Sequence, residues 1–467
     1  MSRTTRAVTA ALSAVAVWAT AASGAVAAPP LPAPLPSSSA STPDPAAAAA
    51  RPTTVLVTAG PDGRHLGGRE EFPVGPPDLS RDGRWLAFMS DRPLLPGVAA
   101  GEWHVYLRDM RSGVLRRVDR DALTDVSYQN RTEVSLSASG RYLAFSTSTP
   151  QTPGRDGMQA YLYDAVTRTL SRIGPASDMG GPSLGASDGR YLNYDSYDQN
   201  LAPGPVPTRP NLTAPQSYIY DTTTRRFSRA LDRIPGVRIE DYSAGVVSGG
   251  RYVVAYADAA LTRDGKGPGV FRRPTGSKRW TRLPQPPGGN GAEYPLDVAA
   301  PRYYVYSTKS RLVKADRNRL YDVYRWDART GRLALLSVGP DGAACRSADP
   351  WGASTGDGDA GAVDHGTSSD GTVVVFTSNC TQLVGERSGQ EHLFVRDLVH
   401  HTTRAVDVDA RGRLQRVYGL TDGDGYGLGT SLSGDGRWIA FVDTDPSLVD
   451  VGGPGGGADL YLRGPLR

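Results

Sequence analysis

The stretch LSRDGRWLAFMS at residues 79–90 comes back near the other end of the chain as LSGDGRWIAFVD at 432–443. Five further copies lie between them: LSASGRYLAFST (136–147), GASDGRYLNYDS (185–196), VVSGGRYVVAYA (246–257), VAAPRYYVYST (298–308) and SSDGTVVVFTS (368–378). In each copy the D-G-R step, or its equivalent, reads as a tight turn whose glycine takes positive φ. The turn joins a short strand to a strand of alternating aromatic and aliphatic residues. Anchored on the residue after the turn glycine, the copies fall at 84, 141, 190, 251, 302, 372 and 437. A unit of this period points to a solenoid or a propeller before any other architecture.

A second hairpin follows most copies, as in HVYLRDMRSGVLRRVD, QAYLYDAVTRTLSRIG, SYIYDTTTRRFSRAL, VYRWDARTGRLALLSV and HLFVRDLVHHTTRAVDV. Each unit thus supplies four antiparallel strands, one blade, and almost nothing reads as an amphipathic helix. The last unit stops at ADLYLRGPLR, the third strand of a blade, while TTVLVTAGPDG (53–63) matches the fourth-strand segment LALLSVGPDG (333–342). The expectation is an all-β, seven-bladed β-propeller of four-stranded blades over 53–467. Residues 53–59 complete the C-terminal blade and close the ring, which removes the exposed sheet edges.

LSRDGRWLAF and LSGDGRWIAF resemble the repeats of the TolB-like (WD40-like) propeller family, and LVKADRNRLYDVYRWD and TSNCTQLVGERSGQEHLFVRD resemble a secreted bacterial branch of it. The resemblance covers about 53–467 and implies the fold. For function it implies several roles, because such propellers serve as periplasmic interaction modules, as accessory domains of peptidases and as lyases acting on uronate sugars.

The N-terminus carries Arg3 and Arg6, an apolar run from about Ala7 to Ala22, and the exit Ala25-Val26-Ala27. This order reads as a secretory signal peptide over 1–27, with an apolar run too short for a convincing membrane span. Residues 28–52 are Pro, Ala and Ser and read as a disordered linker. The expected product is secreted, extracellular or in the cell envelope, monomeric, and without a membrane span after cleavage. With 52 Lys and Arg against 48 Asp and Glu, a formal +4, there is no broad basic field for nucleic acid. The cations are almost all arginine, with lysine only at 266, 278, 309 and 314. No patch is read from that bias.

The D-G-R turns and the turns after the third strands share one face and are short. The strand-two-to-three and blade-to-blade loops share the other face and absorb the length variation, so that face is the expected functional surface. Its candidate ligand-binding residues are Trp103, Tyr197, Trp351, His365 and Tyr426, because aromatics offer large contact area at small entropy cost. Tyr128, Tyr242, Tyr294 and Tyr418 share that face. The acidic loops TGDGDAG (355–361) and TDGDGYG (421–427) offer Asp357, Asp359, Asp422 and Asp424 as oxygen ligands that could hold Ca²⁺. Asp316, Asn318 and Asp322 form a third such stretch, and none completes an EF-hand. No other cofactor is expected. Asp109, Asp164, Asp221, Asp327 and Asp397 recur at the ends of third strands and read as turn acceptors of backbone N–H groups. GPSLG (181–185) lies on an inner strand, where a nucleophile elbow does not fit.

Cys345 and Cys380, the only cysteines, are expected to form a disulfide across the loop entering the sixth blade. Two alkylatable thiols in unreduced protein would exclude it. The reading that follows is a non-catalytic binding or scaffold module for a protein or a cell-envelope polysaccharide. The alternative is a carbohydrate-active, uronate-lyase-like enzyme using His365, placed in a long loop, with loop carboxylates.

Overall fold

A computed structural model describes residues 52–467 apart from 67–75, 124–133, 152–158, 175–179, 184–188, 205–215, 345–362, 379, 381–382, 384–391, 416–428 and 454–456. Scattered positions at 233, 235–236, 238, 240–241, 248–249, 263–264, 290, 292, 294–295 and 297–299 also lie outside it. The signal peptide and linker expected over 1–52 fall almost wholly outside the described residues.

The chain is a seven-bladed β-propeller of antiparallel sheets. The second strands are Trp85–Ser90, Tyr142–Thr147, Tyr191–Ser196, Tyr252–Ala257, Tyr303–Thr308, Val373–Ser378 and Ile439–Asp443. The third strands are His104–Asp109, Gln159–Asp164, Gln216–Asp221, Gly269–Pro274, Asp322–Asp327, His392–Asp397 and Asp459–Gly464. Six blades have four strands. In the fifth, three strands are described, and Leu296 N donates to Tyr303 O at 2.8 Å where the innermost strand would run. Ring closure is as the repeat implies. Thr53–Leu56 pairs antiparallel with Asp459–Gly464, with Val55 opposite Leu462, and Val57 N extends the ladder to Leu460 O at 2.8 Å.

The repeated residues explain how the blades stack. The turn glycines sit at positive φ, and in four of the blade junctions the glycine lies against the aromatic at the start of the second strand of the blade before it, whereas Gly436 meets Ser368 and Val373. A Cβ at Gly140 would stand 2.2 Å from Trp85, at Gly189 1.9 Å from Tyr142, and at Gly250 2.4 Å from Tyr191. The last blade meets the first in the same way, with Gly83 on Trp438. The arginine after the glycine lies over the ring of its own aromatic neighbour, as Arg84 does over Trp85 and Arg141 over Tyr142, and Arg302, which follows Pro301, lies over Tyr303 in the same way. The same arginine reaches the aspartate closing the third strand: Arg84–Asp109, Arg141–Asp164 and Arg302–Asp327 each stand at 2.9 Å, and Arg190–Asp221 at 3.4 Å.

Those aspartates also accept the backbone N–H groups two and three residues on, as Asp109 does from Arg111 and Ser112. The turn role read from the sequence is therefore correct, and the ion pair to the preceding hairpin adds to it. Small and apolar residues of the second and third strands fill the space between sheets. Phe88, Phe145, Phe376 and Phe441 are wholly buried, each stacked on the aromatic of the strand beside it.

Candidate functional site

The third strands carry a tyrosine at their third residue in five blades, and each hydroxyl reaches the loop that precedes its strand. Tyr106 donates to Arg92 O (3.4 Å), Tyr218 to Asp198 O (2.7 Å), Tyr324 to Asp316 Oδ2 (2.6 Å) and Tyr461 to Asp445 O (3.1 Å). Tyr161 accepts from Gln151 N at 2.9 Å. The fourth and sixth blades have Phe271 and Phe394 there. A buried ring with a polar tip thus ties the long-loop face to the scaffold blade by blade, so the loops start from fixed points.

Below those loops runs a buried polar layer. The residue opening a third strand meets a residue fifteen positions later, just past the fourth strand. His104 Nδ1 lies 2.6 Å from Asp119, His392 Nδ1 lies 2.5 Å from Asp407, and Ser337 Oγ donates to Asp322 at 2.5 Å. The same acceptors take the next backbone N–H, as Asp119 does from Val105 and Asp407 from Leu393. Ser90 and Ser378 stand opposite the two histidines in the sheet register. Ser, His and Asp therefore occur together twice, yet all six side chains are sealed from solvent. A nucleophile must reach its substrate, so these groups serve the scaffold, with each histidine Nδ1 paired to its aspartate.

Among the described residues, burial raises the pKa of three carboxyls. Asp322, at 1 % exposure, is pushed up to about 6, with Ser337 and Asn318 holding it back. Asp443, wholly buried at the end of the last second strand, is raised well above the ordinary carboxyl range by burial, and its Oδ2 has no hydrogen-bond partner among the described residues. Asp195 is pushed up to about 6 by burial, against a bond from the Ser217 hydroxyl. It is the only one of the three that is not fully buried. Ser217 Oγ also accepts Ala244 N from the fourth blade at 3.2 Å, which places Asp195 at the seam between blades three and four. A half-buried acid titrating near neutrality is a candidate proton-handling group.

A raised carboxyl adds stability that is full below its unfolded value and lost as pH rises through its folded value. Asp195, Asp322 and Asp443 therefore favour folding at pH 4 over pH 7, and His65, raised by its bond to Asp459, acts in the same sense above pH 6.5. Asp109, Asp327 and Asp370, lowered to about 2, oppose this only below pH 3.8. Asp443→Asn removes one ionising group. It should stabilise by about 1–3 kcal/mol at pH 8 and by much less at pH 4. Equal shifts of the thermal midpoint at both values would show that Asp443 is ionised without cost.

The residues singled out from the sequence fall unevenly. Trp103 is half-buried, bridges to Leu123 and packs against the core of the first two blades. Tyr197 is half-buried two residues past Asp195. Trp351, Tyr426, Asp357, Asp359, Asp422 and Asp424 lie outside the described residues, as do Tyr128, Tyr294 and Tyr418.

His365 is corrected in placement. It belongs to the inner strand Val363–Thr367 of the sixth blade, where the register shifts between Asp364 and Gly366, so it is the extra residue of a bulge. Gly366, at φ +152°, takes up the irregularity. The Asp316, Asn318 and Asp322 stretch holds its own loop. Asp316 accepts Asn318 N (3.1 Å) and the Tyr324 hydroxyl (2.6 Å), while Asp322 accepts Asn318 Nδ2 (2.8 Å) and Ser337 Oγ (2.5 Å), so all four carboxylate oxygens are engaged. Among the described residues no group of three or more His, Cys, Asp or Glu is disposed to hold a metal ion.

Gly180–Ser183 is an inner strand that carries the GPSLG serine, and residues 184–188 after it lie outside the described residues. Cys380 sits two residues past the sixth blade's second strand, buried, and no described cysteine is a free thiol, while Cys345 lies outside the described residues. No described helix is long and apolar enough to cross a membrane. Asp195 was missed. The signal was present in YLNYDS, where two polar residues replace the small or apolar ones of WLAFMS on the side facing the next blade.

No family model matches the sequence, and no curated protein does either. Among solved structures, the oligogalacturonate lyase of Vibrio parahaemolyticus is 10% identical, with a TM-score of 0.47 over 88% of this chain and 93% of that one. The β-propeller domain of the Trilobed protease from Pyrococcus furiosus is 10% identical, with a TM-score of 0.44 over 80% and 92%. TolB from Acinetobacter baumannii is 15% identical, with a TM-score of 0.30 over 76% and 62%. At these values none of the likenesses bears on what the chain binds or does.

Proposed function

We propose that the protein is an exported, monomeric binding or scaffold module whose long-loop face engages a protein or a cell-envelope polysaccharide. The observation that carries this reading is the division of labour between the faces. On the short-turn face the repeated Asp, Arg, Gly and aromatic residues are taken up by stacking the blades. On the other face tyrosine hydroxyls hold the bases of loops whose sequences do not repeat. Rigid scaffolds bearing variable loops are where recognition resides. Trp103, Tyr197, Trp351, His365 and Tyr426 are the proposed contacts, the Cys345–Cys380 bridge is proposed to restrain the loop entering the sixth blade, and Ca²⁺ is a proposed ligand of the two acidic loops.

Capture experiments with the purified protein test this reading. Trp351→Ala with Tyr426→Ala should reduce retention of the bound partner by roughly tenfold, and unchanged capture would remove those residues from the site.

A second reading, a carbohydrate-active enzyme of the uronate-lyase type, is favoured by one observation, the half-buried Asp195 with its pKa near 6. It predicts growth of unsaturated-product absorbance on polyuronates, lost in Asp195→Asn. No absorbance change across such substrates would leave the binding reading alone.

A further inference from the structure

All four lysines of the chain, Lys266, Lys278, Lys309 and Lys314, fall within residues 242–335, the fourth and fifth blades and the loop joining them. That span holds 17 Lys and Arg against 7 Asp and Glu, a formal +10, whereas the whole chain is only +4, so the remainder is net negative. The near-neutral total conceals a polarised molecule, and fields of this kind steer charged partners to one side.

Within the span the charge concentrates in KSRLVKADRNR (309–319), which joins the second and third strands of the fifth blade on the long-loop face. Lys309, Arg311, Lys314, Arg317 and Arg319 are all exposed. The one acid of the loop, Asp316, is 5 % exposed and turned inward to Asn318 N and the Tyr324 hydroxyl. Asp322 at the loop's exit is 1 % exposed and held by Asn318 and Ser337. The Arg311 side chain also donates to Asn318 O, which fixes the two ends of the loop together. Lys314, Arg317 and Arg319 make no ion pair among the described residues. Buried carboxyls therefore shape the loop, and only cations face outward.

We propose that this loop, with exposed Lys266 on the neighbouring fourth-blade loop, binds a linear polyanion, a polymer that repeats a carboxylate or phosphate group along its length. The proposal rests on the reading that the long-loop face is the binding face. Exposed ion pairs are individually weak, so a row of cations on an eleven-residue loop favours an extended ligand that repeats its charge over a single small anion. Arginine forks suit carboxylate and phosphate groups alike. A bilayer fits less well, because Leu312 and Val313 are half-buried and the loop offers no exposed large apolar side chain for insertion.

The test is titration of the full protein with a polyuronate, a poly(glycerol phosphate), neutral dextran and phosphatidylglycerol vesicles. Two charge-matched triple variants are compared: Lys314→Glu/Arg317→Glu/Arg319→Glu in the loop, and Arg226→Glu/Arg329→Glu/Arg332→Glu at exposed positions on the outer and short-turn side. The wild type should bind one or both polyanions, more weakly as salt rises. The loop variant should bind roughly tenfold or more weakly, while the control stays within about twofold. The polyuronate and phosphate arms tell which anion is recognised. The proposal is overturned by equal losses in the two variants, by vesicle binding in place of polymer binding, or by no polyanion binding in the wild type. If neutral dextran or a protein partner is held equally by wild type and loop variant, the charge inference fails while the long-loop face stands as the binding surface.

Discussion

Asp459→Ala should destabilise the folded ring by about 3–5 kcal/mol, because it leaves a buried cation facing an apolar side chain. Asp459 opens the last strand, is 2 % exposed, and joins three residues from distant parts of the chain. Its Oδ1 accepts the Thr58 hydroxyl at 2.7 Å and stands 3.3 Å from Arg92 Nη2, and its Oδ2 stands 2.9 Å from His65 Nδ1. Thr58 and His65 follow the closing strand, whereas Arg92 belongs to the first blade and is 1 % exposed. One carboxylate therefore fastens the N-terminal segment to the C-terminal blade and that blade to the first. Thr58→Ala removes the bond to Asp459 and the one its hydroxyl accepts from Leu460 N, leaves no cation unpaired, and should cost only about 1–3 kcal/mol. Urea denaturation of the two variants gives the comparison, and an Asp459→Ala loss no larger than that of Thr58→Ala would show that the cluster does not hold the ring.

Gly189→Ala should cost roughly 2–5 kcal/mol, combining the left-handed backbone penalty with overpacking. Gly189 sits at φ +89°, and an added Cβ would meet Tyr142 ring atoms at 1.9 and 2.5 Å. That ring is wedged between two blades, so it has little room to yield. Gly113 separates the two causes. It sits at φ +75° in a turn with nothing within 4 Å of an added Cβ, so Gly113→Ala should cost about 1–2 kcal/mol, the backbone share alone. Thermal melting of both variants measures the difference. Equal losses would mean that the contact between turn glycine and preceding aromatic contributes nothing to blade stacking.

That contact also shows why the fold was legible in the sequence. A propeller repeats one small packing unit, so its glycine, arginine and aromatic must recur together, and recurrence is visible without coordinates. The closing strand was legible for the same reason, since Thr53–Leu56 carries the pattern of a fourth strand that the last unit lacks. The aspartates after the third strands were half legible. Their turn role follows from local chemistry, but Arg84–Asp109 spans 25 positions across a hairpin and needs the sheet register to be seen.

The buried layer was hidden by its nature. His104 and Asp119 are ordinary polar residues in the sequence, and only burial turns them into a matched pair. Thr58 and Asp459 are 401 positions apart, so their bond exists only because the ring closes. His365 lay in a stretch with loop composition, yet a bulge at Gly366 draws it into the inner strand. The basic loop went unread because charge was summed over the whole chain, where the acids of the other blades offset it.

Both faces of the ring depend on its closure by Thr53–Leu56, since an open ring would leave neither the Asp459 cluster nor a rigid loop platform. Hydrogen exchange followed by mass spectrometry tests it directly. Val57 N is bound to Leu460 O at 2.8 Å and Leu460 N to Thr58 Oγ1 at 3.1 Å, so the two segments should exchange together. Peptides covering 53–58 and 459–464 should be protected alike and lose protection in one cooperative step on denaturation. Exchange of 53–58 at the rate of an unstructured peptide, with 459–464 still protected, would contradict ring closure.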